Sequence, residues 1–500
     1  MKRKRLLQLI VPISLIVVMA VALPILSGCL GRPAAAPPEE VAPAAAPPEA
    51  VVPAAPAEAL PPGLLPDEIN ILGHLPDQQI GVEYPIGETI NIGFLAALSG
   101  PDAGWGLPGI TGNSIFIDAV NKTGGLLVGG TRYPFKQYEF DDEAIGSKAL
   151  QGARQLVLEN DVKFISAIGG APADATHPYL TDAKVVYASL IATDITPPRK
   201  YLIAGGDTTP RIDMLRPLVV KMVLPRPEDL GRKLRWAVTS QDDPIGRQCQ
   251  AWEVGCAVAE GWEIVYDKHF AIETTDFAPI ATAVMATNPD AISLNLTWPD
   301  FQTLLWEQFY LQGYEGVISQ NYISWEPNLT KIPAEWAEAR WGFDNFPTMD
   351  DPWWGDPSWN LSFTKLWDAR YGPGGPEDVH RIQTGIDYDH VVALLPWAHW
   401  AQAWGMEHPN AGRFPNNDEI LETARALHSF PTILGPGFMY GENMWGIDNM
   451  ISLPITINKF DATAMNKRVW CNIRFEAWYE NIIDIVIPVV EEHGQMYYQR

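Results

Sequence analysis

A glycine motif is the first candidate for chemistry in this chain. Gly104, Gly106 and Gly109 match the spacing G-x-G-x-x-G between a predicted strand and a predicted helix, a pattern that can hold the pyrophosphate of a dinucleotide. In such sites the motif forms the turn directly after the strand, and an acidic residue ends a second strand about 20 residues later. Here the motif begins well beyond the strand, and Asp141 and Asp142 come too late. The sequence therefore favours a ligand-binding loop that leads into a helix, and we expect no cofactor.

The remaining reactive side chains form no catalytic pattern. Neither G-x-S-x-G nor H-E-x-x-H occurs, and the nine histidines do not cluster at metal-ligand spacings. We therefore expect no enzyme activity, no catalytic residue and no metal site.

Two acidic clusters allow more than one interpretation. Residues 141–143 (Asp-Asp-Glu) could bind a cation, but a solvated cluster before a helix, whose N-terminus favours acids, is the favoured reading. Residues 387–390 (Asp-Tyr-Asp-His) are typical of a helix start, with Tyr388 or Asp389 as alternative pocket residues.

Aromatic residues suggest ligand contacts at two positions. Most of the 19 tryptophans should pack inside the protein. Trp105 and Trp298 instead fall in predicted loops at strand ends, where a rigid apolar ring can contact a ligand.

The elements that would position these residues alternate between strand and helix. Apolar periodicity predicts, in chain order, strand 90–95, helix 109–121, a strand ending near 140, helix 147–160, strand 162–168 and strand 184–188. The pattern restarts with strand 233–239, helix 246–260, strand 263–266, helix 277–288, strand 291–296, helix 300–312 and strand 317–319. Two α/β halves with parallel sheets follow, and ligands of such sheets bind beyond the carboxyl ends of the strands. The loops at those ends are 98–105, 169–174, 191–194, 239–243, 295–298 and 319–322.

The C-terminal part is less regular. Residues 323–384, rich in Trp, Pro and Asp, are predicted to be a connection with short helices. Helices are expected at about 388–404 and 417–427, and strands at 451–457 and 482–490.

The N-terminus indicates export. Four basic residues at positions 2–5 precede an apolar run to Leu26, the layout of a secretory signal. Leu26, Ser27 and Gly28 before Cys29 resemble the bacterial lipoprotein box, which predicts a signal peptide at 1–28 and a lipid on Cys29. The Ala/Pro-rich composition that follows predicts a tether over 29–85. An uncleaved anchor is the alternative.

Charge and cysteine content restrict the partners. The net charge of −25 argues against nucleic acid or an anionic lipid surface, since both require basic patches. Cys249 and Cys256 would lie about 10.5 Å apart along one helix, too far for a disulfide. Either pairs with Cys471, or none does.

Several segments resemble one family. Residues 92–101 (IGFLAALSGP), 119–125 (AVNKTGG), 138–143, 274–277 (TTDF), 288–291 (NPDA) and 432–437 (TILGPG) look like the branched-chain amino acid type substrate-binding proteins of ABC transporters, the type I periplasmic binding proteins. The resemblance covers about 86–460. It implies two Rossmann-like lobes with parallel central sheets, joined by three crossovers that we place near 218, 346 and 433. The N-terminal lobe would comprise 86–218 and 346–433, and the C-terminal lobe 219–345 and 434–500.

The resemblance also implies ligand residues. Thr193 matches the family threonine that helps to bind an α-carboxylate, and Trp298 falls at or next to an aromatic pocket position. The family serine after the third strand is replaced by residues 169–173 (GGAPA), whose backbone N–H groups could hold an anion. The acid that meets an α-ammonium aligns near Tyr322, yet no Asp or Glu lies between Gln320 and Trp325. With the strand-end loops, the ligand-binding candidates are Ser99, Trp105, Gly170, Ala171, Ala173, Thr193, Asp242, Trp298 and Tyr322.

These residues favour a receptor for a small organic solute. An unpaired ammonium in a closed cleft is costly, so a carboxylate, an amide or an aromatic solute is favoured over an amino acid. The resemblance implies delivery to the permease subunits of an ABC importer at the outer face of a membrane. The alternatives are a ligand-sensing module that signals to a membrane partner, and a true branched-chain amino acid binder.

Overall fold

The computed structural model describes residues 63–495 except 101, 192–196, 206–210, 296, 321–327, 341–342, 345–355, 382, 384, 386 and 388–390. The strands are β1 (Ile90–Ala96), β2 (Leu126–Val128), β3 (Thr131–Tyr133), β4 (Phe135–Asp141), β5 (Val162–Gly169), β6 (Val186–Ile191), β7 (Leu202–Ala204), β8 (Arg235–Gln241), β9 (Glu263–Phe270), β10 (Ala291–Leu294), β11 (Val317–Gln320), β12 (Phe343–Asp344), β13 (Phe430–Thr432), β14 (Gly435–Tyr440), β15 (Met450–Ser452), β16 (Ile455–Asp461) and β17 (Asn466–Ile473).

The helices are α1 (Pro66–Leu72), α2 (Ala103–Lys122), α3 (Gly146–Leu158), α4 (Ala171–Ala183), α5 (Arg211–Val223), α6 (Pro227–Leu230), α7 (Pro244–Ala259), α8 (Ala278–Met285), α9 (Pro299–Leu311), α10 (Ala334–Arg340), α11 (Pro357–Tyr371), α12 (Val391–Glu407), α13 (Asn417–Ala426), α14 (Glu442–Trp445), α15 (Phe475–Tyr479) and α16 (Ile483–Glu492), with a 3-10 turn at Pro197–Arg199.

Two central sheets organise the protein. The first has eight strands in the order β13-β14-β15-β7-β6-β5-β1-β4, and the second has four in the order β11-β10-β8-β9. Pairing is parallel from β15 to β4 and throughout the second sheet, while β13, β14 and β15 pair antiparallel at one edge. We call each sheet with its covering helices a lobe. The predicted α/β class with parallel-dominated sheets is confirmed.

Each sheet is covered on both faces, which is why its strands are nearly continuous apolar runs. In the first lobe, Ile92 and Phe164 pack in one buried cluster and Leu95 and Ile165 in another. In the second lobe, Trp236 and Ala237 likewise belong to different clusters. Neighbouring strand residues point to opposite faces, so each sheet is the middle of a three-layer sandwich.

The C-terminal segment was partly mispredicted. Residues 482–490 were predicted as a strand, but all of them except the N-cap Ile482 lie in helix α16. Val486 and Val490, four residues apart on one helical face, are fully buried, and Val486 packs against Gly255 of α7. A short apolar run does not distinguish strand from helix by periodicity, and the close approach at Gly255 accommodates a helix.

The N-terminal segment also departs from expectation. The predicted tether extended to residue 85, but α1 is folded, with Ile71 and Leu72 buried in the first-lobe core. The indole of Trp359 donates to the Ile71 carbonyl over 2.9 Å. The extended region therefore cannot include residues 66–75.

The division of the chain into lobes stays a prediction. Strands β14 and β15, which lie after the predicted crossover near 433, continue the first sheet. The antiparallel sheet of β12, β16 and β17 packs on the second lobe, since Ile457 and Phe460 join its two apolar clusters.

The structure decides between the alternatives for the cysteines. Cys249 and Cys256 are buried and free, so neither pairs with Cys471. Within the described residues, none of the helices has the length and apolar character needed to span a bilayer.

Candidate functional site

A cavity of about 340 Å³ lies between the two lobes. Its lining residues in the first lobe follow strands β1, β4 and β5 and include Ala97, Asp102, Trp105, Asp142, Ile168 and Ala171. Those in the second lobe follow β8, β9 and β10 and include Gln241, Asp243, Ile245, Ile272, Thr297 and Trp298. These are the carboxyl ends of parallel strands, where open α/β sheets bind ligands.

The glycine motif lies in the first turns of α2 rather than in a loop. A Cβ on Gly106 would lie 2.0 Å from the carbonyl oxygen of Ala97. Glycine there lets the helix start approach the end of β1, which turns Trp105 toward the cavity lining. The motif thus has a packing role and brings an indole to the site.

Ser99 and Asp141 fix the loop that precedes α2. The Ser99 hydroxyl donates to Asp141 Oδ2 over 2.6 Å, and the Leu98 amide donates to Asp141 Oδ1 over 2.8 Å. Although burial raises the pKa of Asp141, these hydrogen bonds leave it below its usual value. Ser99 itself is not among the residues that line the cavity, so its predicted ligand contact stays a prediction.

Asp142 is buried at the cavity wall. Its amide donates to the Ala96 carbonyl over 3.0 Å, which extends the pairing of β1 and β4 by one residue. Its side chain is 1% exposed and accepts the Ala144 amide over 2.8 Å. The interpretation of residues 141–143 as a solvated cluster is therefore wrong for Asp142.

The N-terminus of α4 forms the edge of the cavity in the first lobe. Gly170 is its N-cap, with φ 68° and ψ −142°, a conformation that glycine adopts readily. Ala171 lines the cavity, whereas Ala173 is completely buried within the first lobe.

Asp242 and Asp243, at the end of β8, have different contacts. Asp242 forms an ion pair with Arg247 and is half exposed. Asp243 lines the cavity and caps α7, since its Oδ1 accepts the Gly246 amide over 2.6 Å. Asp242 is not among the residues that line the cavity, so its predicted ligand contact stays a prediction.

Trp298 forms the aromatic wall of the second lobe. Its ring stacks on Phe301 with centroids 5.3 Å apart, and its amide donates to Gln241 Oε1 over 3.3 Å. Gln241 also donates to Asp243 Oδ2 over 3.3 Å. Gln241 therefore links Trp298 and Asp243 through hydrogen bonds to both.

Burial and neighbouring acids make the ionised form of three carboxyl groups at the cavity unfavourable. Burial, and secondly repulsion by Asp243 across the cavity, raise the pKa of Asp102. Burial is also the main cause that raises the pKa of Asp243. Asp142 has a pKa raised to about 6 because it is buried and lies near Asp141 and Asp102. Each of these acids would gain from a nearby positive charge.

The structure thus brings together Trp105, Ala171 and Trp298 from the predicted set, with Gly170 at the edge. Thr193, Tyr322 and Cys29, as well as Tyr388 and Asp389, lie outside the described residues. Asp387 is described: it is buried and accepts two hydrogen bonds from Arg381, at 2.6 and 2.8 Å. The carboxylate of Asp387 thus has a structural partner, Arg381, in the segment before α12.

Sequence reasoning missed Asp102, Asp142, Asp243 and Ile245 at the cavity. One signal was available for Asp243, because an Asp followed by Pro and a helix is a typical N-cap arrangement. The sequence around Asp142 has no comparable N-cap pattern. Asp142 is buried because β4 continues to pair with β1 past residue 140, where the strand was predicted to end.

Comparisons with known proteins agree with this architecture. An extracellular ligand-binding receptor from Rhodopseudomonas palustris HaA2 superposes with a TM-score of 0.58 at 18% identity, covering 77% of this chain and 99% of that one. An ABC transporter solute-binding protein from R. palustris, in complex with 4-hydroxybenzoate, has a TM-score of 0.57 at 18% identity, covering 77% and 96%. A leucine-binding protein from Thermotoga maritima MSB8 has a TM-score of 0.56 at 14% identity, covering 77% and 99%. No curated protein matches the chain.

The family comparison covers most of the chain. Residues 89–456 match the family model described as Periplasmic binding protein. The match includes the strands, the helix starts and the loops that line the cavity. The chain therefore belongs to the periplasmic binding protein family, a family of extracytoplasmic solute receptors.

Proposed function

We propose that this protein is an exported, lipid-anchored receptor that binds a small organic solute between its lobes and delivers it to an ABC importer. The observation that carries the proposal is the cavity to which Trp105 of one lobe and Trp298 of the other contribute. A solute that contacts both lobes stabilises the closed arrangement, which a transporter can distinguish from the open one.

The dimensions of the cavity support a small ligand. Its volume of about 340 Å³ is at the lower end of the range for ligand sites. Related solute receptors from R. palustris were solved with 4-hydroxybenzoate and 3,4-dihydroxybenzoic acid, solutes with one aromatic ring. A ligand with an apolar or aromatic body of that size matches the two indoles here.

In this function the receptor binds the solute and does not convert it chemically. The cavity has hydrogen-bonding and aromatic groups, but the described residues include no nucleophile paired with a base among those that line it. We infer that the solute leaves chemically unchanged.

The ligand site is tested by calorimetry and thermal shift with a solute library. A bound solute raises the melting temperature, because it binds the folded state alone. Trp298→Ala and Thr193→Ala should reduce that shift, and Leu311→Ala, an exposed residue at the end of α9, should not. If both cleft variants retain the full shift, the site is wrongly assigned.

The anchor is tested separately. Cys29→Ser should move the protein from the membrane fraction to the soluble fraction, since a lipid on Cys29 would be lost. Retention of Cys29→Ser in the membrane would instead support an uncleaved N-terminal anchor.

A further inference from the structure

We propose that the solute is an organic cation, a substituted ammonium with an apolar body. This inference rests on the receptor function proposed above, because it names the ligand class of the same cavity. It also departs from the sequence-based preference for a carboxylate, an amide or an aromatic solute, because the sequence pattern did not place Asp102 and Asp243 at the cavity and favoured a solvated cluster over a cation site at residues 141–143.

The charges at the cavity have one sign. Asp102, Asp142, Glu143 and Asp243 line it, and no Lys or Arg does among the described residues. The stretches between 63 and 495 whose backbone lies outside the described residues contain no Lys or Arg in the sequence either, and the basic residues whose side chains lie outside the description are Arg211 and Lys467. Among the described side chains, a buried carboxylate ligand would therefore face like charges without a cationic partner, which is costly.

The basic side chains near the cavity already have partners. Lys148 forms an ion pair with Glu143, and Arg247 forms one with Asp242. Asp142 accepts a backbone amide, and Asp243 accepts the amide of Gly246. The carboxylate of Asp102 accepts no hydrogen bond within the part of the chain that the structure describes, so it is available to a ligand cation.

The other walls select an organic cation over a metal ion. Trp105 and Trp298 offer indole faces, which attract ammonium groups by cation–π interaction. Ile168, Ile245 and Ile272 provide an apolar surface that a hydrated ion would not use. The described residues contain no group of three or more His, Cys, Asp or Glu arranged to hold a metal.

The acids also link binding to closure. Asp102 belongs to the first lobe and Asp243 to the second, and their repulsion grows as the lobes approach. A cation placed between them converts this repulsion into attraction to both. Closure is then favoured only when the ligand is present, which is the property a transport receptor needs.

The test is a thermal-shift screen of cationic, neutral and anionic solutes, followed by calorimetry. The screen includes benzyltrimethylammonium, benzylamine, benzyl alcohol and benzoate at pH 7.5, which share one ring and differ in charge. We expect the hits to be cations and each to bind about tenfold tighter than its neutral counterpart. Anionic or neutral hits without cationic ones would overturn the inference and leave the receptor function standing. If no solute of any charge binds, the receptor function fails and this inference with it.

A pair of variants that each remove one negative charge tests the contact between Asp102 and the ligand cation. Asp102→Asn should weaken binding of the cation about tenfold, while Glu273→Gln, which removes one exposed negative charge next to the cavity residue Ile272, should leave its affinity unchanged. Thermal unfolding without ligand checks that both variants fold. Equal effects of the two variants, or no effect of Asp102→Asn, would contradict a direct contact with Asp102.

Discussion

Gly170 and Ile245 meet across the cleft so closely that a Cβ on Gly170 would lie 2.3 Å from Ile245 Cδ1. Gly170 caps helix α4 of the first lobe, and Ile245 lies in the first turn of α7 in the second lobe. The pair is therefore a contact at which the lobes come together. Since Gly170 also has a positive φ of 68°, a side chain there is disfavoured twice.

Gly170→Ala should weaken solute binding by about tenfold and lower the free energy of unfolding by about 1–3 kcal/mol. The added methyl group meets Ile245 in the closed arrangement and strains the backbone in any arrangement. Calorimetry with a solute identified in the screen and urea unfolding measure the two effects.

Two further variants separate these causes. Gly231→Ala has a similar φ of 64° but nothing within 4 Å of the new Cβ, so it should lose stability and keep its affinity. Ile245→Ala combined with Gly170→Ala should recover part of the lost affinity. If Gly231→Ala weakens binding as much as Gly170→Ala, the contact with Ile245 is not the cause.

Asp142→Asn should stabilise the ligand-free protein at pH 7 by about 1–3 kcal/mol. Burial and the nearby Asp141 and Asp102 raise the pKa of Asp142 to about 6, and the buried Tyr187 is a further titratable neighbour. The folded state therefore binds more protons than the unfolded state between about pH 4 and 6. Stability from this group falls as the pH rises through that window, and it levels off above the folded-state pKa.

The measurement is the melting temperature of both proteins from pH 4 to 8. The difference between the variant and the natural protein should be small near pH 4 and should grow until about pH 6. The asparagine Oδ1 can still accept the Ala144 amide, so that hydrogen bond is retained. A pH-independent difference would mean that Asp142 does not titrate as described.

Arg216 links two buried acids, and Arg216→Met should cost about 3–5 kcal/mol of stability. Its guanidinium lies 2.6 Å from Asp213 and 3.6 Å from Glu253, and all three side chains are at most 1% exposed. Removing the cation leaves two buried carboxyl groups, whose pKa values burial already raises above their usual range.

Arg232→Met is the matched control for urea unfolding. Arg232 pairs with Asp290 in a solvent-exposed bidentate contact, and such pairs contribute about 0–1 kcal/mol. A cost for Arg216→Met that does not exceed the cost for Arg232→Met would contradict the role of Arg216 as the partner of both acids.

The sequence predicted the alternating elements of both lobes because buried parallel strands and amphipathic helices have clear patterns. Helix α3 was expected at 147–160 and lies at Gly146–Leu158. The pattern failed where tertiary contacts decide: residues 482–490 are helical because Gly255 admits Val486 of a packed helix. Local sequence does not encode that contact.

The site was predictable to the level of loops but not of side chains. The rule for parallel sheets nominated the ends of β1, β5, β8 and β10, and the cavity lies at these strand ends. It did not distinguish Asp242 from Asp243, since adjacent residues point in different directions and the choice depends on the N-cap of α7. Trp105 and Trp298 were nominated because the sequence predicted loops there, and both line the cavity, Trp105 from the first turn of α2 and Trp298 as the N-cap of α9.

Ile71→Ala should lower the free energy of unfolding by about 2–5 kcal/mol, which tests where the folded region begins. Ile71 is completely buried in the first-lobe core, and helix α1 packs beside α11 through the Trp359 indole. Leu65→Ala, at an exposed N-cap position, should cost less than about 0.5 kcal/mol. Equal and small effects would mean that α1 detaches before the lobe unfolds. A large cost for Ile71→Ala alone would mean that α1 is an integral part of the first lobe. Any spacer to a membrane would then end before α1.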